Sequence, residues 1–422
     1  MYFIVISSNH HLIKLILYLL LTFASIRINM NDLDLSYIIN ELGEDRDEYF
    51  RAVAPPIIQS SNFAFKTVDE LRKSFEDEYS TWLYSRGLNP TVEILRKKLA
   101  ALDGAEDCLV FNSGAAAIFA SVLANIKSGD HIVSVRNPYT WAKKMFDEIL
   151  PRFNVTTTYI DGTQLINFEQ ATKLKTTVYY LETPNSWSYE IQDLKKIAAL
   201  AKQHNIITIC DNSYCTPIYQ KPIEMGIDLT LQSATKYIGG HSDTIAGVLS
   251  GSRKMIERIF NSEYNNIGNG IQPFNAWLLI RGLRTLPARL ERITKTTGLI
   301  VDYLKNHARV EKVIFPFDES FPQYQLAKQQ MKGACGLLTF VIKAKHIETI
   351  ETFSNALKHI LMAVSWGGHE SLIIPRCAGI KREKFIATSE EHRMLRLYCG
   401  LEDADYIIAD LEQAFQKIED LD

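Results

Sequence analysis

A lysine that follows a strand-like apolar segment is the residue of this chain with the clearest chemical meaning. Lys236 ends the segment 233–236, SATK, which comes after the apolar residues 229–232 and shortly before two glycines. Asp211 stands in the same way at the end of the apolar run 206–210. Because ligands of α/β proteins bind beyond the carboxyl ends of strands, we expect both side chains at one edge of a sheet.

This pair of residues predicts an enzyme that uses pyridoxal phosphate (PLP). The Lys236 amine would form a Schiff base with the cofactor aldehyde and, once freed, would take the proton from the substrate Cα. Asp211 would keep the pyridine nitrogen protonated, since a carboxylate in a partly dry site needs a cation opposite it. A protonated ring stores the electron pair that remains when a bond at Cα breaks.

A turn of small residues is the candidate phosphate site. Ser113, Gly114 and Ala115 follow the strand-like residues 108–111 and open an alanine-rich helix. Small side chains let the backbone N–H groups of a helix N-terminus approach an anion. Many turns share this pattern, so it is a weak signal by itself.

Four segments in fixed order resemble one enzyme family. They are 84–91 (YSRGLNPT), 211–251 around Lys236, 365–372 (SWGGHESL) and 396–403 (RLYCGLED). Together they resemble the trans-sulfuration family of Cys/Met-metabolism PLP enzymes, and the likeness runs from about residue 50 to the C-terminus. The resemblance implies PLP as cofactor, a small sulfur-containing amino acid as substrate and the aminotransferase-like fold of type I.

The resemblance also implies roles for residues that spacing alone does not assign. The hydroxyls of Ser233 and Thr235 would join the phosphate site. Tyr84 and Arg86 match a pair that the family reaches across from a neighbouring subunit. The active site would therefore be complete only in a homo-oligomer, for which a dimer of dimers is expected.

Three further residues match positions that act on the substrate in this family. Tyr139 would stack on the pyridine ring and help to deprotonate the incoming amine. Arg396 would bind the substrate α-carboxylate, for which a planar guanidinium is suited because it makes a bidentate pair. Ser365 resembles a second contact near that carboxylate.

Two segments depart from the family pattern. Thr140 and Trp141 replace two glycines after Tyr139, which argues against a methionine γ-lyase. In the segment 182–188, ETPNSWS, Ser186 stands where many members have an asparagine near the cofactor's phenolic oxygen. Asn185 would substitute for it after a local shift, and the residues leave both alternatives open.

The resemblance leaves several reactions open, because the fold and motifs are shared between them. Trp366 and the segment 184–186 resemble bacterial cystathionine β-lyases, so the leading expectation is cleavage of cystathionine to homocysteine, pyruvate and ammonia. Cystathionine γ-synthase or γ-lyase and O-acylhomoserine sulfhydrylase are the alternatives within the family. A PLP-binding protein without catalysis is the alternative from another class.

Composition limits the partners and the compartment. The formal net charge is −3 and no basic run occurs, so a nucleic-acid partner is not expected. The six cysteines are scattered without a C-x-x-C pair, which predicts buried thiols in a reducing, cytoplasmic setting and no metal site.

The first 29 residues differ from the rest. Residues 15–26 are apolar enough for a signal-peptide core but short for a membrane span. We interpret residues 1–29 as a non-native extension before Met30, with export and a membrane tether as alternatives. We therefore do not expect the protein to associate with a membrane.

Alternating strand and helix patterns predict an α/β protein with a mostly parallel seven-stranded sheet. The predicted strands are 108–111, 131–135, 155–160, 177–181, 206–210, 229–232 and 246–250, and the helices between them are 115–126, 141–150 and 193–204. The domain interpretation is an N-terminal arm over 30–86, a PLP-binding domain over 87–272 and a smaller α+β domain over 273–422.

Overall fold

The computed structural model describes residues 33–421 and centres on a seven-stranded sheet. The strands follow the order β1-β7-β6-β5-β4-β2-β3 across the sheet. Strand β7 runs antiparallel to β1 and β6, and the other neighbours are parallel. The strands are β1 Asp107–Phe111, β2 His131–Val135, β3 Thr156–Ile160, β4 Thr176–Glu182, β5 Ile207–Asp211, β6 Leu229–Ser233 and β7 Gly247–Gly251.

A second sheet of five strands follows later in the chain, in the order β10-β11-β12-β9-β8. Its strands are antiparallel except for the short pair β10 and β11. The strands are β8 Val310–Ile314, β9 Leu337–Ile342, β10 Leu361–Met362, β11 Leu372–Pro375 and β12 Met394–Tyr398. Strand β9 is buried over its whole length, and most of its apolar side chains belong to one hydrophobic cluster with residues of α3, β1 and β7.

Helices cover the sheets and connect their strands. The α-helices are α1 Leu35–Asn40, α2 Val68–Glu76, α3 Pro90–Asp103, α4 Gly114–Leu123, α5 Thr140–Lys144, α6 Leu165–Ala171, α7 Leu194–Gln203, α8 Thr216–Tyr219, α9 Arg253–Ile259, α10 Asn265–Ile267, α11 Pro273–Arg284, α12 Leu286–Asn306, α13 Tyr324–Gln330, α14 Ile347–Ala356 and α15 Ala404–Gln416. No helix within residues 33–421 combines the length and the apolar character that crossing a bilayer requires.

Local sequence explains where helix α3 begins and ends. The Asn89 side chain accepts a hydrogen bond from the Thr91 N–H, and Pro90 supplies a preset φ at the first helical position. Gly104 ends the helix in the left-handed conformation, which glycine adopts without steric cost. The helix is buried along most of its length, against β1 and α11.

The α/β class, the fold type and the mostly parallel seven-stranded sheet are confirmed, and each predicted strand lies within about one residue of an observed one. The predicted helix 141–150 is wrong as a single helix. Helix α5 passes at Met145 into a π-helical turn, and a 3-10 turn begins at Leu150, where Pro151 follows. The arm holds two α-helices, α1 and α2, and the Asp34 side chain caps the first of them. The domain boundaries stay a prediction.

Candidate active site

The carboxyl ends of β4, β5 and β6 bring the predicted catalytic residues to one edge of the main sheet. Glu182 and Asp211 are the last residues of β4 and β5, and they are paired in parallel register. Lys236 comes three residues after β6 ends at Ser233. Because the three strands are parallel, these side chains share the edge that the sequence pattern predicts.

Lys236 is a partly buried amine whose side chain has a single hydroxyl as its hydrogen-bond partner among residues 33–421. Its Nζ donates to Ser365 Oγ at 2.5 Å and lies 5.3 Å from the centre of the Trp366 ring. Burial and, to a smaller extent, the Arg396 charge lower the pKa of Lys236 to about 8, although the Asp211 charge opposes both. The amine therefore reaches its neutral, nucleophilic form close to physiological pH.

Asp211 and Glu182 form a pair of buried carboxyl groups. Burial raises the pKa of Asp211, although its Oδ1 accepts a hydrogen bond from the Ser213 N–H at 2.9 Å. Burial and the nearby Asp211 charge raise the pKa of Glu182 to about 8. Burial disfavours the charged form of each carboxyl group, and ionising both of them adds their mutual repulsion.

Tyr139 lies beside this carboxyl pair. It precedes helix α5, and its backbone N–H donates to Glu182 Oε2 at 2.5 Å. Burial, and then the charges of Asp211 and Glu182, raise the pKa of the Tyr139 phenol. Tyr139 is still 42% exposed, so a ligand can reach it.

The predicted phosphate residues converge at the N-terminus of α4. Ser113 caps this helix by accepting the Ala116 N–H at 3.1 Å, and a β-carbon on Gly114 would lie 3.2 Å from Ser233 Oγ. A β-carbon on Gly247 would overlap the Ser113 carbonyl. Two glycines therefore allow the start of the helix to lie directly against the ends of β6 and β7.

The other two predicted phosphate residues are placed differently from each other. Ala115 is exposed in the first turn of α4, where backbone N–H groups have no acceptor inside the helix. The Thr235 hydroxyl donates to the Ala246 carbonyl at 3.2 Å and accepts the Ala246 N–H at 3.0 Å. Thr235 therefore ties the segment carrying Lys236 to the entry of β7.

Arg396 approaches the site from the second sheet. It lies on β12, is 8% exposed, and donates from Nη1 to the Ser186 carbonyl at 3.3 Å. Burial lowers the Arg396 pKa, and the nearby Tyr189 and Glu182 counteract this effect. Ser365 adopts a positive φ of 83°, which turns the loop after β10 toward Lys236. The structure therefore brings Arg396, Ser365 and Lys236 together.

Tyr84 and Arg86 are not brought to Lys236 within one chain. Both are exposed, and the Arg86 Cζ lies 5.4 Å from the centre of the Tyr84 ring. Within residues 33–421, neither side chain makes a hydrogen bond or ion pair with the other predicted site residues. Their predicted role needs a second chain, and it stays a prediction.

The segment between β4 and α7 holds residues whose placement the sequence left open. Asn185 is buried, and its Oδ1 accepts the N–H groups of Trp187, Ser188 and Tyr189 at 3.0, 2.9 and 3.1 Å. Asn185 therefore organises this loop. The Ser186 carbonyl faces Arg396 instead.

Sequence reasoning missed Glu182 and two residues near Arg396. The indole of Trp187 lies 5.0 Å from the Arg396 Cζ and 4.9 Å from the Arg376 Cζ. Glu182 carried a usable signal, since it ends a strand next to the one that ends at Asp211. Trp187 and Arg376 carried no such signal, because their contact joins distant parts of the chain.

The residues present fit PLP. The N-terminus of α4 and the Ser233 hydroxyl lie side by side because Gly114 has no side chain between them, and this set of donors suits a phosphate. Asp211 is a buried carboxyl group with no basic side chain among its hydrogen-bond donors in the described chain, and a pyridinium would favour its charged form. Lys236 offers a reactive amine between this carboxylate and Arg396.

Comparisons with known proteins point to the same chemistry. The family described as Cys/Met metabolism PLP-dependent enzyme matches residues 37–416. An L-methionine gamma-lyase of Treponema denticola is 35% identical over 376 residues, which cover 87% of this chain and 94% of that protein.

Two solved structures share the fold over nearly the whole chain. The crystal structure of metB from Corynebacterium glutamicum has a TM-score of 0.85 and 30% identity, covering 93% of this chain and all of that one. The structure of cystathionine gamma-lyase from Lactobacillus plantarum with L-serine has a TM-score of 0.84 and 31% identity, covering 92% of this chain and all of the other. The predicted family, cofactor and enzyme class of PLP-dependent carbon–sulfur lyases are confirmed.

Proposed function

Because the chain belongs to the Cys/Met metabolism family of PLP-dependent enzymes, we propose that it cleaves the carbon–sulfur bond of a thioether amino acid. The leading candidate is β-elimination from cystathionine. The observation that carries this proposal is the placement of the Lys236 amine, which follows β6 beside the end of β5 at Asp211 and is held by Ser365 Oγ at 2.5 Å. A neutral amine beside a carboxylate-binding guanidinium is suited to take a proton from Cα.

Arg396 and Lys236 divide the work on the substrate. The Arg396 fork binds the α-carboxylate and thereby places the Cα–H bond toward Lys236. Bound PLP supplies the electron sink for the pair that this proton leaves behind. Ser365 positions the Lys236 amine by accepting a hydrogen bond from it. The Asp211 carboxylate would stabilise a positive charge on the pyridine ring of the cofactor.

The carbon–sulfur bond then breaks, and its electron pair leaves on sulfur. Lys236, now protonated, returns its proton to the departing sulfur, so that homocysteine leaves as a thiol. The three-carbon enamine that remains is hydrolysed after release, which yields pyruvate and ammonia. Tyr139 lies at the same edge, where it would help to deprotonate the incoming amine once a cationic cofactor ring offsets the raised pKa of its phenol.

A γ-elimination is the second candidate, and the relatives' names favour it. The Treponema denticola relative is a methionine gamma-lyase, and the Lactobacillus plantarum structure is a cystathionine gamma-lyase. Expelling sulfur from Cγ needs a second proton removed at Cβ. Lys236 is the candidate base for that step as well, so the same residues serve either reaction.

Product analysis separates the two reactions. The enzyme loaded with PLP is incubated with L-cystathionine, and the keto acid and the thiol are identified. Pyruvate with homocysteine supports β-elimination, and 2-oxobutyrate with cysteine supports γ-elimination. Lys236→Ala is the control that should form neither. If the wild-type enzyme forms neither pair, cystathionine is not its substrate.

We also propose that Tyr84 and Arg86 complete the site of a neighbouring subunit in a homo-oligomer, with a dimer of dimers as the expected form. Their exposure supports this, because the pair is free to meet another chain. Mixing refolded Lys236→Ala and Arg86→Gln chains should restore activity, since some sites then carry neither substitution. If mixed oligomers form and activity does not recover, the proposal that two subunits share each active site is contradicted.

The cellular setting is proposed from the thiols. All six cysteines are free and buried, which supports a reducing, cytoplasmic location. The predicted extension over residues 1–29 lies outside the described residues. Fractionation of cells that express the native gene product, with sizing of its N-terminus, tests both points.

A further inference from the structure

Two arginines share one indole at the outer side of the site. Trp187 follows the segment that accepts the Arg396 hydrogen bond, and it lies 5.0 Å from the Arg396 Cζ and 4.9 Å from the Arg376 Cζ. The two Cζ atoms are therefore at most about 10 Å apart, a spacing at which both cations contact one aromatic ring. Only Arg396 has a role in the proposed reaction.

The second sheet places both arginines on one face. Arg396 on β12 is directly opposite Ile374 on β11, and Arg376 comes two residues after Ile374. Side chains two residues apart along a strand point to the same side of a sheet, and cross-strand partners do too. Arg376 begins a 3-10 turn right after β11 ends, and the contact of both arginines with Trp187 places their side chains next to each other.

Arg376 is only partly engaged by the protein. Its Nε and Nη2 donate to a single oxygen of Glu391, at 3.1 and 2.5 Å. The Arg376 side chain is 41% exposed and the Glu391 side chain 61%, so this ion pair is open to solvent and weak. The Arg376 charge also lowers the pKa of Arg396, so both cations act at the same site.

We propose that Arg376 binds the second carboxylate of a thioether substrate that carries an amino-acid group at each end. The inference rests on the proposed function, since Arg396 binds the first carboxylate. The two carboxyl carbons of cystathionine are separated by up to about 9 Å in an extended chain. A guanidinium Cζ lies about 4 Å from the carboxyl carbon that it binds, so two arginines at most about 10 Å apart can hold both carboxylates of cystathionine in a bent conformation. A thioether with one carboxylate gains nothing from Arg376.

The test compares two substrates in matched variants of the PLP-loaded enzyme. KM and kcat are measured for L-cystathionine and for S-methyl-L-cysteine, which has the same α-carboxylate and no second one. Arg376→Gln should raise KM for cystathionine about tenfold with kcat within twofold, and should leave KM for S-methyl-L-cysteine within twofold. Arg376→Lys should recover part of the loss because it keeps the charge.

Two further variants serve as controls. Arg382→Gln removes an exposed arginine that pairs with Glu348 and Glu351, and it should change neither KM. Glu391→Gln removes the competing carboxylate and should lower KM for cystathionine. Equal KM changes for both substrates in Arg376→Gln, or no change for cystathionine, would overturn the inference.

Binding measurements separate this inference from the proposed reaction. If the wild-type enzyme turns over neither thioether, the proposed function fails, and calorimetric dissociation constants for the same two compounds decide the inference. Wild type should then prefer cystathionine, and Arg376→Gln should lose that preference. An unchanged preference, or no binding of cystathionine by wild type, overturns the role of Arg376.

Discussion

Two lysines of this chain are withdrawn from solvent, and they differ in what holds their amines. Lys98 on α3 is fully buried, and its Nζ contacts the carbonyls of Ile38 and Ile39 and the carboxylate of Glu44, each at 3.0 Å. Lys236 has one hydroxyl partner, Ser365. Burial lowers the pKa of both lysines, so burial alone does not distinguish them. They differ in that the Lys236 amine has hydrogen-bond donors to spare, whereas the Lys98 amine uses its donors within the protein.

The buried arginines show the same contrast. Arg289 on α12 donates to the Tyr237 and Gly282 carbonyls at 2.7 and 2.8 Å and to the Thr285 hydroxyl at 3.1 Å. Arg396 has one acceptor at 3.3 Å and an indole beside its guanidinium. A cation with its donors used fixes structure, whereas a cation with donors left over is available to a ligand.

Replacing Lys236 gives the largest expected effect on activity. Lys236→Ala should lower kcat more than about a thousandfold, because the amine is both the cofactor attachment point and the base. The free energy of unfolding should change by less than about 1 kcal/mol, since only one hydroxyl loses a partner. Steady-state rates with denaturant titration check both values. A variant that retains its turnover would remove Lys236 from the mechanism.

Replacing Lys98 should give the opposite pattern. Lys98→Met leaves Glu44 buried with a weakened set of partners, so the free energy of unfolding should fall by about 3 kcal/mol. Turnover per folded molecule should stay within twofold at low temperature. Arg284 still contacts Glu44 at 2.8 Å and limits the loss.

A double variant sharpens the Lys98 prediction. Glu44→Gln combined with Lys98→Met removes both charges, and it should be less destabilised than the sum of the single variants. Chemical denaturation of the four proteins gives the coupling energy. Additive losses would mean that the pair does not act as a unit.

The pH dependence of cofactor attachment tests whether the lowered pKa of Lys236 is functional. The neutral amine attacks the aldehyde, so the attachment rate to cofactor-free enzyme should rise about tenfold per pH unit and level off near pH 8. Arg396→Met removes a nearby positive charge, which should raise the Lys236 pKa and move the midpoint to higher pH. A rate that rises without levelling to pH 10 would contradict the lowered pKa.

The sheet and the main residues of the site were predictable because their signals are local. Lys236 and Asp211 each end an apolar run, and parallel strands put such ends at one edge. The pairing of Glu182 with Asp211 depends on the register between two strands, which no local pattern records. The short strands β10 and β11 were missed for a similar reason, since their partners supply most of their stabilisation.

The smallest expected effect tests whether Trp187 positions Arg396. Trp187→Leu removes the indole beside the guanidinium, an interaction of about 0.5–1 kcal/mol, so KM for both thioether substrates should rise about two- to fivefold. Trp187→Phe keeps an aromatic face and should stay within twofold of wild type. The pH midpoint of cofactor attachment should not move in either variant, because the Arg396 charge remains. If Trp187→Phe raises KM as much as Trp187→Leu does, the indole acts by packing the loop and not by its contact with the guanidinium. The unused donors of Arg396 would then be enough to distinguish it from an arginine that only holds the structure.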